Sequence, residues 1–122
     1  MTISKKLAYL LLSYAPSPLS GKSVTIAVVL FDPASVATGL CRVHIGAHWK
    51  QRVLNVDPDA DIDTLEALTS EIEYKLNLPA SREMMLQVME DSFSNALRVS
   101  DRKECLCLEP SQELERLVSL YL

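Results

Sequence analysis

The stretch Lys22-Ser-Val-Thr-Ile-Ala-Val-Val-Leu-Phe-Asp-Pro33 sets the architecture of the chain. Eight successive residues in it, from Val24 to Phe31, carry no charge and are mostly β-branched or aromatic. Gly21 precedes this run and Asp32-Pro33 follows it, so that turn residues bound it on both sides. An apolar run of this length between turns predicts a buried strand, and a strand that is apolar on both faces belongs in the middle of a sheet. The two alternating sets are Val24, Ile26, Val28 and Leu30 on one face and Ala27, Val29 and Phe31 on the other.

The composition limits the class of protein. A chain of 122 residues, of which 48% are hydrophobic and 23% charged, has the make-up of a globular protein, and we expect residues 1–122 to form one domain. The net charge is −4, from 12 Lys and Arg against 16 Asp and Glu, and no basic run occurs. We therefore expect neither a nucleic-acid partner nor a membrane partner.

The N-terminal apolar run, Leu7 to Leu12, is far shorter than the roughly 20 residues needed to cross a bilayer. Lys5-Lys6 before it resembles the start of a signal peptide, but Ser13-Tyr14-Ala15-Pro16 is a poor cleavage site. The three cysteines are an odd number, which favours free thiols over a secreted disulfide framework. Together these features predict a cytoplasmic protein.

Two further strands are predicted beside the central one. Leu7 to Leu12 favours a strand over a helix, because the loop that contains Pro16-Ser17-Pro18 suits a hairpin connection. Val36 to Ile45 alternates between apolar or small and polar side chains, as an edge strand does, and Gly39 within it indicates a bulge or a close backbone approach. Short turns between the three strands predict an antiparallel meander. Residues 46–55 fit either a short helix or an irregular strand.

Helical patterns dominate the second half of the chain. Asp61 is predicted to cap a first helix and Ser81 a second, which should end between Asp91 and Asn95. A last helix is predicted from Pro110 to Leu122, with Ser111 as its cap. The apolar stripes that predict these helices are Leu65, Leu68, Ile72 and Leu76 in the first, Met85, Val88, Met89 and Phe93 in the second, and Leu114, Leu117, Val118 and Tyr121 in the last.

The order of the predicted elements indicates the fold class. Residues 96–100 and 104–108 are predicted to be two short strands of a hairpin around the charged tip Asp101-Arg102-Lys103. The fold is therefore expected to be α+β, with an antiparallel sheet made of the N-terminal three-strand meander and this later hairpin. About three helices should pack on one face of the sheet. Because the first two strands are apolar on both faces, the opposite face needs cover from a second copy of the chain or from a partner protein.

The cysteines and histidines are candidate metal ligands. Cys41-x2-His44-x3-His48 is one candidate set, and Cys105-x-Cys107 supplies more sulfur. Zinc needs about four ligands that converge, whereas Cys41 and His44 point to opposite faces of a strand. Free cysteine is also among the most buried residue types, so we predict core cysteines and no metal.

The acidic run Asp57-x-Asp59-x-Asp61-x-Asp63 has the carboxylate spacing of a calcium loop. An EF-hand also needs Gly at its sixth position and Glu at its twelfth, where this chain has Ile62 and Leu68. A solvated acidic loop that caps a helix is therefore the better interpretation.

Three basic residues are candidate ligand contacts. Arg42 and His44 lie on the polar face of the third predicted strand, and Lys22 precedes the central one. A guanidinium pairs bidentately with phosphate or carboxylate, so these residues point to a small-molecule or phosphate ligand, although an ordinary solvent-facing strand also explains Arg42 and His44. The chain has no G-x-S-x-G, no H-E-x-x-H and no glycine-rich phosphate loop. We therefore predict no catalytic residue, no cofactor and no enzyme activity.

Two segments carry a resemblance to a known family. Tyr9-Leu-Leu-Leu-Ser-Tyr14-Ala-Pro16-Ser-Pro18, followed by Gly21-Lys-Ser-Val-Thr25-Ile-Ala27-Val-Val-Leu-Phe31, resembles the small bacterial family DUF3037, a domain of unknown function. In that family an aromatic strand ends in a Pro-rich turn, and a Gly-Glu-x-x-Asn-x-Gly-Val-x-Leu-Phe segment follows. A short helix closes the C-terminus there, as Leu114-Glu-Arg-Leu117-x-x-x-Tyr121 does here. Lys22, Thr25 and Ala27 stand where the family has Glu, Asn and Gly.

The resemblance implies no activity. Members of the family are often encoded beside a HipA-like kinase, which implies a role as a partner or regulator. The expected function is therefore a non-catalytic protein-interaction or regulatory module that binds another protein or a second copy of itself. The alternative is a small-molecule or phosphate-binding domain that uses Arg42 and His44.

Overall fold

Five strands and four helices make up the part of the chain that the computed structural model describes, residues 5–16, 21–92 and 97–122. The predicted α+β class and the antiparallel sheet are confirmed. Four helices are found where about three were expected, because the segment whose structure the sequence left open contains a helix. In chain order the elements are β1 (Lys5–Tyr14), β2 (Val24–Phe31), β3 (Cys41–Ile45), α1 (Trp49–Val56), α2 (Ile62–Asn77), α3 (Pro79–Ser92), β4 (Leu97–Val99), β5 (Lys103–Cys107) and α4 (Pro110–Tyr121).

The N-terminal meander forms as predicted. β2 pairs antiparallel with β1 on one side and with β3 on the other, so that the apolar run from Val24 to Phe31 lies inside the sheet. Every residue from Ile26 to Phe31 is buried. The loop that contains Pro16 and Pro18 joins β1 and β2, and residues 17–20 of that loop lie outside the described residues.

A bulge in β2 corrects the predicted facing of its first residues. Leu12 pairs with Ala27 and Ser13 pairs with Thr25, so that Ile26 is an extra residue on β2. A bulge of this kind changes the phase of the alternation. Val24 and Ile26 consequently share the face of Ala27 and Phe31, rather than the face of Val28 and Leu30 as simple alternation predicted. The buried residues of β2 accordingly fall into two hydrophobic clusters, one on each face of the sheet. Val28 and Leu30 belong to one cluster, and the other buried residues of β2 belong to the second.

The predicted later hairpin has a different arrangement. β4 and β5 both pair antiparallel with β1, β4 near Tyr14 and β5 from Lys5 to Tyr9, so they lie end to end along one edge of the sheet. The charged residues between them interrupt this edge and do not form a hairpin tip. Ser100 holds the interruption against β1, since its backbone N–H donates to the Leu11 carbonyl and its hydroxyl accepts from the Leu11 N–H.

The helices divide between the two faces of the sheet, which differs from the expectation of one helical face. α1, α2 and α3 pack on one face, hereafter the three-helix face, around residues such as Leu10, Val29 and Phe31. α4 packs on the other, hereafter the α4 face, where Leu117 is fully buried against Leu7 and Val28. A second copy of the chain is therefore not needed to cover that face.

Several helix boundaries also differ from the predicted ones, and the differences arise from local contacts. Asp61 caps α2 as predicted, because its carboxylate accepts from the backbone N–H of Thr64 at 3.1 Å. α3 begins at Pro79 rather than after Ser81, whose hydroxyl instead donates to the Lys75 carbonyl at the end of α2. Glu109, not Ser111, is the N-cap of α4. The Phe93 position of the predicted second helix lies outside the described residues.

The third strand begins at Cys41 rather than Val36, because residues 33–40 form a turn. Gly39 makes the predicted close backbone approach within this turn, since a Cβ there would lie 2.5 Å from the Ser35 carbonyl oxygen. The buried Arg82 of α3 anchors the turn. Its guanidinium donates to the carbonyls of Val36, Ala37 and Gly39, and its Nε donates to the Leu76 carbonyl at 2.7 Å.

Candidate functional site

Two of the three predicted ligand contacts lie together. Arg42 pairs with Leu30 and His44 pairs with Val28, so both side chains are on the α4 face of the edge strand β3. Arg42 is exposed and His44 is half-buried. They are two residues apart on one face, which places them about 7 Å from each other along the strand.

The third predicted contact, Lys22, lies elsewhere. It precedes β2 and lines a cavity of about 320 Å³ together with residues of β1 and β4, on the side of β2 that faces away from β3. Arg98 of β4 lines the same cavity. The structure therefore brings Lys22 to Arg98 and separates it from Arg42 and His44. Arg98 was not identified from the sequence, because a lone arginine between Leu97 and Val99 carries no motif.

A second concave surface lies between α2 and α3, on the outside of the three-helix face. We call it the α2/α3 groove, and it has a volume of about 260 Å³. Its apolar lining is Leu68, Ile72, Met84, Met85 and Val88. The two helices pack at the base of the groove through Ile72 and Met85, whereas Met84 is 74% exposed and Val88 is 43% exposed. Val88 belongs to the apolar stripe predicted for this helix, and the structure places it at the exposed rim of the groove rather than in the core.

The groove has a polar margin. Glu71 and Lys75 on α2 form an ion pair of 2.7 Å, and Ser81 lies opposite them on α3. The surrounding helices are acidic, with four acids against one base in α2 and three acids against one base in α3. The acids are Asp63, Glu66, Glu71, Glu73, Glu83, Glu90 and Asp91. Glu71 pairs with Lys75 inside the groove, whereas Glu66 pairs with Lys50 and Glu90 with Arg102. The groove is therefore apolar at its centre, and the two helices that form it carry more acids than bases.

The cysteines are free thiols with raised pKa values. Cys41 and Cys107 are buried and Cys105 is half-buried. Burial raises the pKa of each thiol, and burial together with the nearby Glu113 carboxylate raises that of Cys105 to about 11. A thiol with a raised pKa is a poor nucleophile at neutral pH. The three cysteines therefore behave as core residues.

The candidate metal ligands are not assembled in the described residues. Cys41 pairs with Phe31 and His44 with Val28, so that they face opposite sides of the sheet as the alternation predicted. Within residues 5–16, 21–92 and 97–122 no group of three His, Cys, Asp or Glu side chains could hold a metal ion. In the acidic loop, Asp57 accepts from the Tyr14 hydroxyl at 2.6 Å and Asp61 caps α2.

Over the described ranges, no helix combines the length and the apolar character required to cross a bilayer. In a comparison with known proteins, a family model described as a protein of unknown function (DUF3037) matches residues 9–122, which is nearly the whole chain. No curated protein and no solved structure matches the chain.

Proposed function

Since the chain belongs to the DUF3037 family, whose description names no activity, we propose a function from its own surfaces: it is a non-catalytic protein-interaction module. The α2/α3 groove receives a basic amphipathic helix of a partner protein. The single observation that carries this proposal is the exposure of Met84 and Val88 in an apolar groove with an acidic surround.

The lining of the groove supports a protein ligand. Methionine is flexible and polarizable, and it is over-used on surfaces that accept apolar side chains of partner proteins. Met84 is exposed at 74% although the neighbouring Met85 is buried, so that its side chain contributes little to the core. An amphipathic helix fits such a groove by inserting apolar residues at positions i, i+3 or i+4, and i+7.

The charge around the groove supports a basic partner. α2 and α3 carry seven acids, of which Glu71, Glu66 and Glu90 pair with Lys75, Lys50 and Arg102, so that acids still exceed bases on the two helices. Complementary charge raises the association rate and suppresses partners of the wrong sign. A helix with Lys and Arg beside its apolar stripe therefore meets both the apolar centre and the negative margin of the groove. The HipA-like kinase that the family resemblance implies is the first natural partner to test.

The test uses two synthetic amphipathic helices that share one apolar stripe. One peptide carries Lys and Arg on its flanks and the other carries Glu and Asp, and binding is followed by fluorescence anisotropy. The basic peptide should bind and the acidic peptide should not. Replacement of Met84 and Val88 by Gln removes apolar area that the complex would bury. A loss of about 2 kcal/mol of binding free energy raises the dissociation constant by at least about tenfold.

The matched control is Leu120→Gln. Leu120 is 61% exposed and lies on α4, across the sheet from the groove, so its replacement should leave the affinity unchanged. Equal binding of the acidic peptide, or full affinity in the Met84→Gln/Val88→Gln variant, would exclude the groove as the docking site. Sedimentation shows whether the chain forms a dimer. If it does, and if only this double variant is a monomer, the groove would instead be assigned to a second copy of the chain.

A further inference from the structure

We propose that the cavity beside Lys22 and Arg98 binds a small organic phosphate, with the two cations holding the phosphate group. The site is separate from the α2/α3 groove, because it opens on the α4 face and the groove lies on the three-helix face. Nothing in the family description assigns a ligand to it.

A change in side-chain size along β1 makes the cavity. On the α4 face β1 presents Leu7, Tyr9 and Leu11, which pack under α4, and then the smaller Ser13. The cavity begins where this covered region ends, and Leu11, Ser13 and Ala15 form one wall of it. The small residues leave a depression that the sheet itself does not fill.

Two positive charges reach this depression from opposite sides. Lys22 lies two residues before the start of β2, and Arg98 lies directly opposite Ser13 in the β1–β4 pairing. Ser23 and Ser100 also line the cavity. Of the nine lining residues, all in the described part of the chain, none is acidic. In a chain with a net charge of −4, this is a local concentration of positive charge.

Arg98 differs from most exposed bases of the protein. Arg102 pairs with Glu90, Arg116 with Glu113 and Lys6 with Glu104. Within the described residues, the guanidinium of Arg98 has no carboxylate partner. A planar guanidinium with free donors binds a phosphate through two parallel hydrogen bonds, and a lysine adds a point charge beside it.

The chemistry of the lining indicates the kind of phosphate. Hydroxyls of Ser13 and Ser23 are suited to phosphate oxygens, whereas Leu11 and Ala15 offer an apolar surface to the organic part of a monoester. The volume of about 320 Å³ lies at the small end of the range for ligand pockets. A small phosphate monoester fits this volume, and a dinucleotide is too large for it.

The experiment is a titration of the ¹⁵N-labelled full chain, followed by amide chemical shifts. Phenyl phosphate, inorganic phosphate and a phosphoserine peptide are the three probes, and sodium chloride at equal ionic strength is the blank. Shifts should concentrate at Gly21, Lys22, Ser23 and Arg98. Tighter binding of phenyl phosphate than of the peptide indicates a free metabolite as the source of the phosphate, and the reverse order indicates a phosphorylated protein.

Arg98→Gln should weaken the affinity for phenyl phosphate by about tenfold or more, since a charge-assisted bidentate contact is lost. Arg98 is exposed on β4, so this replacement leaves the core intact. Arg42→Gln is the matched control, because Arg42 is also an exposed strand arginine and should leave the affinity within about twofold. Absence of specific shifts with all three probes, or an equal loss in Arg42→Gln, would overturn the proposal.

Discussion

The hydrogen bonds of Arg82 predict a large contribution of this residue to the free energy of unfolding. Its side chain is 6% exposed and joins the end of α2 to the turn before β3 through hydrogen bonds to four backbone carbonyls. None of these four acceptors is a carboxylate, and the dipoles of the four carbonyls stabilise the positive charge. Replacement of Arg82 by Met keeps the length and the apolar stem of the side chain and removes every one of these hydrogen bonds.

The size of the effect follows from the contacts. A hydrogen bond from a charged donor contributes about 1.5–3 kcal/mol. The Nε contact with Leu76 at 2.7 Å is one such bond, and the three contacts of NH1 at 3.0–3.3 Å share two protons and count for about one more. The loss is offset in part, because methionine carries no buried charge and because water reaches the half-buried carbonyls of the turn. We expect a net destabilisation of about 3 kcal/mol for Arg82→Met.

The assay is urea unfolding followed by circular dichroism, with wild type, Arg82→Met and Arg82→Lys measured side by side. The lysine variant keeps the charge but cannot reach both sets of carbonyls, so it should lose about half as much free energy of unfolding as the methionine variant. Amide hydrogen exchange of residues 36–39 should accelerate in both variants. A methionine variant within about 0.5 kcal/mol of wild type would refute the assignment of Arg82 as the link between the two segments.

Three further predictions concern titratable groups. The Lys5 ammonium, 3.1 Å away, lowers the pKa of the buried Asp32, so the carboxylate stabilises the fold above its unfolded pKa and this contribution is lost as the pH falls through the lower folded value. Wild type should therefore exceed Asp32→Asn in urea stability at pH 7 by more than at pH 3, and an equal difference at both pH values would contradict this. The hydrogen bond between Tyr9 and Tyr121 raises the pKa of Tyr9 to about 12 and lowers the pKa of Tyr121. The Tyr9→Phe variant should therefore show a higher pKa of Tyr121 in an ultraviolet titration. An unchanged pKa of Tyr121 would contradict the pairing. Cys105, with its pKa raised to about 11, should react with iodoacetamide at pH 8 much more slowly in the native protein than in urea, and equal rates would contradict its burial.

The sequence predicted those parts of the fold that depend on local pattern. The run from Val24 to Phe31 predicted the central strand because both of its faces are apolar, and Asp61 predicted the start of α2 because a carboxylate caps the backbone N–H groups of a first turn. The sequence also predicted the apolar stripe of α4, because Leu114, Leu117 and Tyr121 recur at helical spacing, and these residues pack against the sheet.

Features that depend on contacts between distant segments were not predictable in the same way. The extra residue Ile26 changes the facing of β2 only because of its register with Leu12, and no property of the isolated segment indicates it. The side of the sheet that α4 covers is set by the path of the chain and not by the periodicity of the helix. Lys22 and Arg98 meet only because β4 pairs with β1, whereas the predicted hairpin would have placed Arg98 elsewhere.

Methyl spectra of the four methionines test the central claim most directly, because three of them lie in α3 and report on the α2/α3 groove. The ¹³C-methyl-labelled protein is titrated with the basic amphipathic peptide. Docking in the groove predicts a large shift of the exposed Met84 methyl, a smaller one at Met85, and little change at Met89, which is 2% exposed in the core. Binding that leaves the Met84 methyl signal unmoved would contradict the proposed interaction surface.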